Sequence, residues 1–395
     1  MCKSSDRNVD IAFEMAWTSR DATHKEQYLA RSVDIDSDSL PLDLTRSLED
    51  SGMGETVNIC YPAGQAVPAS NPELVLRLDR KRFTNPAGYP VEPRRGRFYP
   101  LEMLPGLHGH QSSGLKAFRI SELENGRLIA DLNHPLADAR LVLSATLKEP
   151  SEARVQDSPR DVSAEVLDSG PGMQARGCTR TDFGKPPLRR KDETEDSKFY
   201  ERPRFVDHID SRASSLLTDE YSRYLKPGMN ILDLMAGSKS HLPAGSSAFG
   251  LGLNAEEMQV NPDLHGYEIQ NLNREFELRS SDNSFDAAVC SLSVEYLIDP
   301  WAVTNDAARV LKPGAPLLFG FSNRWFPTKA AGFWPEMHEF ERMGFVLDLF
   351  LESGEFEELR TVSYRGRPRP ADDPYAGRMA HSDPVYVVSG KKRAC

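Results

Sequence analysis

The sequence has few cysteines, no long hydrophobic run and a deficit of positive charge. Its 395 residues include five cysteines, an odd number, widely spaced and without a CxxC pair. Cysteines used in this way fit a reducing cytoplasm, and they predict neither a disulfide framework nor a structural zinc site. A membrane-spanning helix needs about 20 consecutive apolar residues, and a secretory signal needs an apolar segment near its start. The sequence has neither, so we expect a cytoplasmic protein without membrane contact.

Acidic residues outnumber basic ones. Lysine and arginine total 48 against 59 aspartates and glutamates, which gives a net charge of −11. Binding to a phosphate backbone draws on a surplus of cations, so this balance argues against a nucleic-acid partner. Hydrophobic residues make up 39% and charged residues 27%. With this length, the polar composition predicts two folded domains separated by solvated segments.

Composition divides the chain into parts. Residues 151–200 are rich in Asp, Glu, Arg, Ser, Gly and Pro, which predicts a solvated, charged linker. Residues 1–35 give little pattern, although AFEMAW could be a short helix or strand, and we treat 1–43 as an N-terminal extension of uncertain structure. Between them, residues 44–150 contain short β-branched or alternating runs broken by Gly, Pro and Asn, which predict a domain made mainly of strands. Asn125-Gly126 predicts a tight hairpin turn.

Residues 201–395 alternate between strand and helix patterns. Apolar strands are predicted at MNILDLM, SAFGLGL, GYEIQNL, FDAAVCSLS and APLLFGFS. Helices are predicted from Phe205 to Leu225, at AEEMQVN and at PWAVTNDAARVL. This alternation predicts an α/β domain with a parallel sheet covered on both faces. Ligands of such sheets bind at the carboxyl ends of the strands.

Two segments of this region resemble the class I S-adenosylmethionine-dependent methyltransferases of the small-molecule type 11 kind. They are NSFDAAVCSLSVEYLIDP and AARVLKPGAPLLFGFSN, which reproduce the FD-x-x-V strand and the R-V-L-K-P-G turn at matching spacing. The resemblance extends over roughly 205–391. It implies a Rossmann-like fold, S-adenosylmethionine as the cofactor and a small-molecule methyl acceptor as the substrate.

The resemblance also implies cofactor contacts after four of the strands. The residues concerned are Asp233, Ala236, Gly237, Ser238, Asn254, Asn271, Leu272 and Ser291. The first turn, LDLMAGSKSHLP, departs from the family because it keeps Asp233 and Gly237 but lacks the other glycines, and a bulkier turn holds its backbone farther from a ligand. Asn254 stands where the family has a ribose-binding acid, and Asn271 where it has an acid at the adenine amino group.

Each of these positions also has a purely structural interpretation. Asp233 could cap its turn, and Gly237 could serve only a positive φ angle. Asn254 and Asn271 are residue types common in turns, and Ser291 could simply pack at a strand end.

A sulfonium methyl donor is already activated, so the protein needs to position the acceptor and to supply at most one base. The candidate bases are Glu295, His241 and His338. The sequence does not choose among them, nor between an oxygen and a nitrogen acceptor. Trp325, Phe326 and Trp334 either pack in the core or line an apolar substrate pocket.

The preceding region resembles FKBP-type prolyl isomerases of the SlyD-like branch. Asn133-His134-Pro135-Leu136-Ala137 reproduces that family's turn before its last strand, and Gly54-Glu55 matches the pair before an earlier strand. The resemblance implies an FKBP-like α+β domain, mainly of strands, over 44–150. It also implies an aromatic pocket, for which the candidates are Tyr61, Phe98, Tyr99 and Phe118.

The family's opening strand is not recognisable in residues 1–43. We therefore expect a degenerate module that binds a peptide or protein partner or serves in packing, rather than an active isomerase. His108, His110 and His134 are expected to be loop residues, with no metal site.

Three functions remain open for the whole chain. The first is a methyltransferase whose N-terminal module orients a partner. The second is a non-catalytic protein that keeps both folds for binding. The third is a peptidyl-prolyl isomerase or chaperone that carries an inert methyltransferase-like domain.

Overall fold

The structure is a computed structural model that describes residues 8–107, 114–151, 158–177 and 180–394. The chain divides into two compact units. The first unit comprises Met1–Phe183 and Met337–Gly344, and the second comprises Gly184–Glu336 and Phe345–Cys395. Within the described ranges, no helix has both the length and the apolar character needed to span a bilayer.

The described residues of the first unit form two antiparallel sheets. The strands are β1 (Asn8–Thr18), β2 (Thr23–Asp34), β3 (Thr56–Tyr61), β4 (Val75–Asp79), β5 (Phe98–Pro100), β6 (Ala117–Glu124), β7 (Arg127–Asp131) and β8 (Leu141–Lys148). One sheet has the order β2-β1-β8-β3, and the other has the order β4-β7-β6-β5. The same unit contains a helix, α1 (Leu42–Glu49), a short π-helix (Ala164–Asp168) and 3-10 helices at Pro72–Leu74, Arg80–Arg82 and Leu101–Met103.

The structure differs from the prediction at the N-terminus, because residues 8–34 form β1 and β2. Alternate side chains of β1, from Ile11 through Phe13 and Met15 to Trp17, are buried. This period of two is the signature of a strand with one buried face. Large apolar residues alternate with charged residues and alanines from Val9 to Trp17, so the sequence did carry a strand signal here. A strand therefore does open the unit.

The predicted linker at 151–200 also differs from a solvated segment. Its described part buries Val162, Val166 and Leu167 in the same core as β1. Arg160 fixes this part further, because its Nη1 donates to the carbonyl oxygen of Arg31 at 2.6 Å. A few well-placed apolar side chains are enough to hold a segment whose average composition is polar.

The hairpin prediction is confirmed. Asn125 and Gly126 have φ angles of +51° and +76° and join β6 to β7. Both residues adopt the left-handed conformation that a primed two-residue turn needs.

The proposed aromatic pocket residues do not gather in one place. Tyr61 belongs to the core of the first sheet, whereas Tyr99 and Phe118 belong to a separate core under the second sheet. Phe98 is buried in β5. An aromatic pocket built from all four residues is therefore wrong, since local sequence cannot tell which sheet a strand joins. The FKBP-like fold itself stays a prediction.

His134 is a buried turn residue. Its Nδ1 accepts a hydrogen bond from the backbone N–H of Leu136 at 3.1 Å, and its Nε2 lies 3.2 Å from the carbonyl oxygen of Leu167. Burial lowers the pKa of His134 to about 4, so the ring is neutral near pH 7. The other two histidines considered with it, His108 and His110, lie outside the described residues.

The second unit is built around a twisted sheet. Its strands are β9 (Ile231–Leu234), β10 (Ala248–Gly252), β11 (Leu264–Ile269), β12 (Ala287–Ser291), β13 (Pro316–Phe321), β14 (Phe356–Arg365) and β15 (Val385–Lys392). The helices of the C-terminal half are α2 (Asp196–Phe199), α3 (Ser211–Tyr221), α4 (Ala255–Gln259), α5 (Pro300–Val310) and α6 (Glu339–Ser353).

Strand order in the second unit is β11-β10-β9-β12-β13-β15-β14. The strands β9 to β13 pair in parallel, while β15 runs antiparallel to both β13 and β14. The predicted parallel α/β sheet is therefore confirmed. The chain moves outward from β9 on one side and from β12 on the other, so the carboxyl ends of these two strands flank a crevice.

Helix α3 is shorter than predicted. It begins at Ser211 rather than Phe205, because the Asp210 carboxylate caps it by accepting hydrogen bonds from the N–H groups of Arg212 and Ala213. The preceding residues, 203–210, are therefore not helical.

Candidate functional site

A cleft with about 990 Å³ of empty space opens at the carboxyl ends of β9, β10, β11 and β12. Every residue predicted as a cofactor contact lines it, namely Asp233, Ala236, Gly237, Ser238, Asn254, Asn271, Leu272 and Ser291. They come together because parallel strands end at the same edge of the sheet. Hydrogen bonding shows that their side chains serve different purposes.

The turn after β9 is tight at Met235. This residue has a φ angle of +60°, a left-handed conformation that costs a non-glycine residue about 1 kcal/mol or more. Gly237 has no positive φ, so that structural interpretation of Gly237 is wrong. A Cβ on Gly237 would instead lie 3.3 Å from Oε2 of Glu257. Gly237 therefore keeps space open between the turn and that carboxylate.

Asp233 is buried in β9, directly beneath this turn. Burial raises the pKa of Asp233, a hydrogen bond from Ser240 lowers it and the nearby charge of Asp263 raises it, so that the pKa lies at about 7. Oδ2 of Asp233 has no hydrogen-bond partner in the described part of the chain. The carboxyl group is thus close to half protonated near neutral pH.

Asn254 is a structural residue. Its Oδ1 accepts a hydrogen bond from the N–H of Glu257 and caps α4, while its Nδ2 donates to the carbonyl oxygens of Tyr200 and Glu201. The strand itself ends earlier, at Gly252, where a Cβ would meet the carbonyl oxygen of Ala236 at 2.3 Å. The end of β10 consequently carries no acid and has no room for one, and Asn254 does not replace it.

The segment after β11 is a hydrogen-bonded turn. Oδ1 of Asn271 accepts from the N–H of Asn273 at 3.0 Å, which is the Asx turn that a structural interpretation predicts. Gln270 is buried, and its Nε2 donates to the carbonyl oxygens of Glu275 and Glu277. Its Oε1 has no partner among the described residues.

Sequence reasoning missed the other wall of the cleft, which comes from α2 and from residues 200–208. The Arg204 guanidinium lies 4.2 Å from the ring centroid of Phe199 and 5.1 Å from that of Phe326. Its Nη2 donates to the carbonyl oxygen of Phe199 at 3.0 Å, whereas its Nη1 is buried without a partner in the described chain. Burial raises the pKa of Tyr200, whose hydroxyl is likewise buried and unpartnered there. Alternating aromatic and arginine residues in FYERPRF were the available signal.

Four buried polar atoms in the cleft wall therefore have no hydrogen-bond partner within the described ranges. They are Oδ2 of Asp233, Oε1 of Gln270, Nη1 of Arg204 and the Tyr200 hydroxyl. Such atoms are rare in folded proteins because leaving one unpaired costs about 1–3 kcal/mol. Acceptors and donors occur together, which is the arrangement that a polar ligand satisfies.

The three candidate bases are located in different places. His241 lines the cleft, and its Nδ1 lies 2.9 Å from Oγ of Ser214. Glu295 is buried behind the wall and is not part of the lining. His338 belongs to the first unit and stacks beside Phe340.

Burial lowers the pKa of His241, the neighbouring charges of Lys239 and His208 lower it as well and that of Asp207 raises it, so that the pKa lies at about 4. His208, which sequence reasoning missed, also lines the cleft, and burial lowers its pKa as well. Both rings are therefore neutral at physiological pH. Phe326 contributes an apolar face, while Trp334 is fully buried in the core.

Comparison with known proteins points to one family for part of the second unit. Residues 245–319 match the family model described as a methyltransferase domain. This segment is similar to methyltransferases. A ubiquinone biosynthesis O-methyltransferase from Hahella chejuensis is 30% identical over 132 residues, which are 31% of this chain and 50% of the relative. The chain thus spans half the length of that curated relative.

Solved structures give a weaker likeness over slightly less than half of the chain. The YcgJ protein of Bacillus subtilis is 14% identical, with 47% of this chain and 99% of that chain covered and a TM-score of 0.33. A SAM-dependent methyltransferase from Methanosarcina mazei is 19% identical, with 44% and 97% covered and a TM-score of 0.30.

Proposed function

We propose that this protein is an S-adenosylmethionine-dependent methyltransferase that acts on a small molecule. The observation that carries the proposal is the cleft where the strand order reverses, because four of its lining residues have a buried polar atom without a partner among the described residues. The methyltransferase-domain match at 245–319 and the O-methyltransferase relative support it.

The residues present fit the cofactor's chemistry. S-adenosylmethionine brings an ammonium, a carboxylate, a ribose diol and an adenine ring. Among the described residues, Asp233 and Gln270 have buried acceptor oxygens without partners, and Arg204 and Tyr200 have buried donors without partners. One such ligand can therefore donate to the unpartnered acceptors and accept from the unpartnered donors. Bound there, the cofactor would supply an activated methyl group.

The chain's own residues would orient the acceptor and receive its proton. His241 and His208 are neutral near pH 7, because burial lowers the pKa of each, so a ring nitrogen of either can accept a proton. Ser214 holds the His241 ring through Nδ1. The hydroxyl of Tyr296 accepts a hydrogen bond from the backbone N–H of Phe326 at 2.9 Å, and both residues line the cleft.

The proposal is tested by following the cofactor. The full-length protein is incubated with S-adenosylmethionine and separate fractions of a small-molecule extract, and S-adenosylhomocysteine is quantified by mass spectrometry. We expect at least one fraction to support its formation with the wild type and not with Asp233→Ala. Formation at the protein-free rate in every fraction would count against methyl transfer.

A second candidate is a non-catalytic binding protein that keeps this fold. The observation that favours it is Gly252, because β10 ends without an acid and without space for one. Binding of S-adenosylhomocysteine without turnover in any fraction would support this candidate over the first.

A further inference from the structure

A nucleoside cofactor presents a pair of ribose hydroxyls, and a carboxylate is the side chain that accepts both most strongly. The inference below rests on the proposed function, since it assumes that such a cofactor occupies the cleft. Among the described residues, the carboxylates that line the cleft are Asp196, Asp233 and Glu257. The structure allows each to be judged by the partners it already has.

Asp196 is fully engaged by protein groups. Its two oxygens accept from Nη1 of Arg190 at 2.8 and 3.0 Å and from Nδ2 of Asn273 at 2.8 Å. Nζ of Lys329, itself fully buried, lies 3.2 Å from the same carboxylate. A ligand hydroxyl would have to displace one of two cations, so Asp196 holds the wall together instead of binding the diol.

Asp233 is unsuited for a different reason. Its side chain is 2% exposed within β9 and is hydrogen-bonded with Ser240. Oδ2 of Asp233, which has no partner among the described residues, is almost fully buried, so a single small donor suits it better than two neighbouring hydroxyls. Protonation near neutral pH also halves its acceptor capacity.

Glu257 combines anchoring with an open oxygen. Its Oε1 accepts the backbone N–H of Arg204 at 2.7 Å, which fixes the side chain. Its Oε2 faces Gly237, at 3.3 Å from the position of a Cβ on that glycine. No donor to Oε2 exists in the described portion of the chain. Because Gly237 has no side chain, this oxygen remains open to the cleft.

We infer that Glu257 accepts the ribose hydroxyls of the cofactor, through Oε2, in place of an acid at the end of β10. Gly252 cannot carry that acid because its Cβ would overlap the carbonyl oxygen of Ala236. The carboxylate is supplied instead from α4, five residues later in the chain. In this subsite the N–H of Arg204 fixes the carboxylate of Glu257, and Gly237 leaves the space that the ribose hydroxyls need.

The experiment compares two ligands by calorimetric titration of the full-length protein. The ligands are S-adenosylhomocysteine and its 2′,3′-dideoxy analogue, which lacks the hydroxyls. We expect the wild type to bind the first about 30-fold more tightly, as hydrogen bonds to a charged acceptor predict. In Glu257→Gln the ratio should fall below about 3-fold, because a neutral amide oxygen is a weaker acceptor.

Two further variants sharpen the comparison. Glu256→Gln is the matched control, since Glu256 is exposed on the same helix and is absent from the cleft lining, and it should keep the wild-type ratio. Gly237→Ala places a methyl group against Oε2 and should reduce the ratio while Glu257 itself is intact. This second variant tests the subsite even if Glu257→Gln folds poorly.

Three outcomes would overturn the inference. One is a wild type that binds both ligands equally well. Another is a Glu257→Gln or Gly237→Ala protein that weakens both ligands by the same factor and so keeps the ratio. The third is a wild type that binds neither ligand at millimolar concentration, which overturns the proposed cofactor as well and is thereby distinguished from the other two.

Discussion

Replacement of Asp233 by asparagine should change how stability depends on pH. Burial raises the pKa of Asp233 from 3.8 to about 7 in the folded protein. Between these values the unfolded chain releases the proton while the folded chain keeps it, so the free energy of unfolding falls as pH rises. The stability contribution is full below about pH 3.8 and is lost as pH passes 7. At 1.36 kcal/mol per pH unit, the loss is about 4 kcal/mol.

Asparagine has nearly the same shape and does not ionise. We therefore expect Asp233→Asn to match the wild type near pH 4 and to be more stable by about 2–4 kcal/mol at pH 8. Urea denaturation of both proteins at half-unit steps from pH 4.5 to 8.5 measures the difference directly. Taking the difference at each pH removes the titration of all other groups.

The control for this series is Asp219→Asn, a substitution at an exposed aspartate of α3. Its stability difference from the wild type should stay within about 0.5 kcal/mol at every pH, as is usual for surface changes. The raised pKa of Asp233 would be contradicted if wild type and Asp233→Asn differed in free energy of unfolding by the same amount from pH 4.5 to 8.5. Asp233 would then not titrate in this range.

Three further substitutions have defined consequences, each measured by urea denaturation at pH 7. Gly252→Ala should destabilise the protein by about 1–3 kcal/mol, since its Cβ meets the carbonyl oxygen of Ala236 at 2.3 Å; an unchanged midpoint would show that the strand end yields. Asn254→Ala should cost about 1–2 kcal/mol through the lost cap of α4, and a cost below about 0.3 kcal/mol would contradict that role. Glu341→Ala should cost about 3–5 kcal/mol, because it leaves the buried Arg97 guanidinium without the carboxylate 2.6 Å away; a neutral result would show that Arg97 is solvated.

The parallel sheet of the second unit was predictable because its central strands are continuous apolar runs. Every residue of β9 and of β13 is buried, so both faces of these strands are covered, as continuous apolar runs predict. The convergence of the predicted cofactor contacts follows from topology alone, since parallel strands present their carboxyl ends together. These features depend on local pattern and general geometry.

The wall contributed by Arg204 and Tyr200 was not predictable in the same way. Neither residue lies in a periodic pattern, and their importance arises from partners far away in the chain, such as Phe326 for Arg204. Asn254 shows the converse, because its position suggested a ligand contact. In the structure its Nδ2 donates to the carbonyl oxygen of Tyr200 and its Oδ1 accepts from the N–H of Glu257. Sequence pattern locates an edge of a sheet, whereas hydrogen-bond partners decide which side chains there remain available.

The first unit shows the same limit. The hairpin at Asn125-Gly126 was predictable because its chemistry is contained in two residues. The grouping of Tyr61 with Tyr99 was wrong because it depends on which strands pair, and β3 and β5 belong to different sheets.

The proposed function depends on binding of S-adenosylmethionine in the cleft between β9 and β12. Calorimetric titration of the purified protein with S-adenosylhomocysteine, beside the Asp233→Ala variant, tests it most directly. We expect the wild type to bind S-adenosylhomocysteine with a dissociation constant of about micromolar order and Asp233→Ala to lose binding. Absence of both heat and thermal stabilisation at millimolar ligand would contradict it.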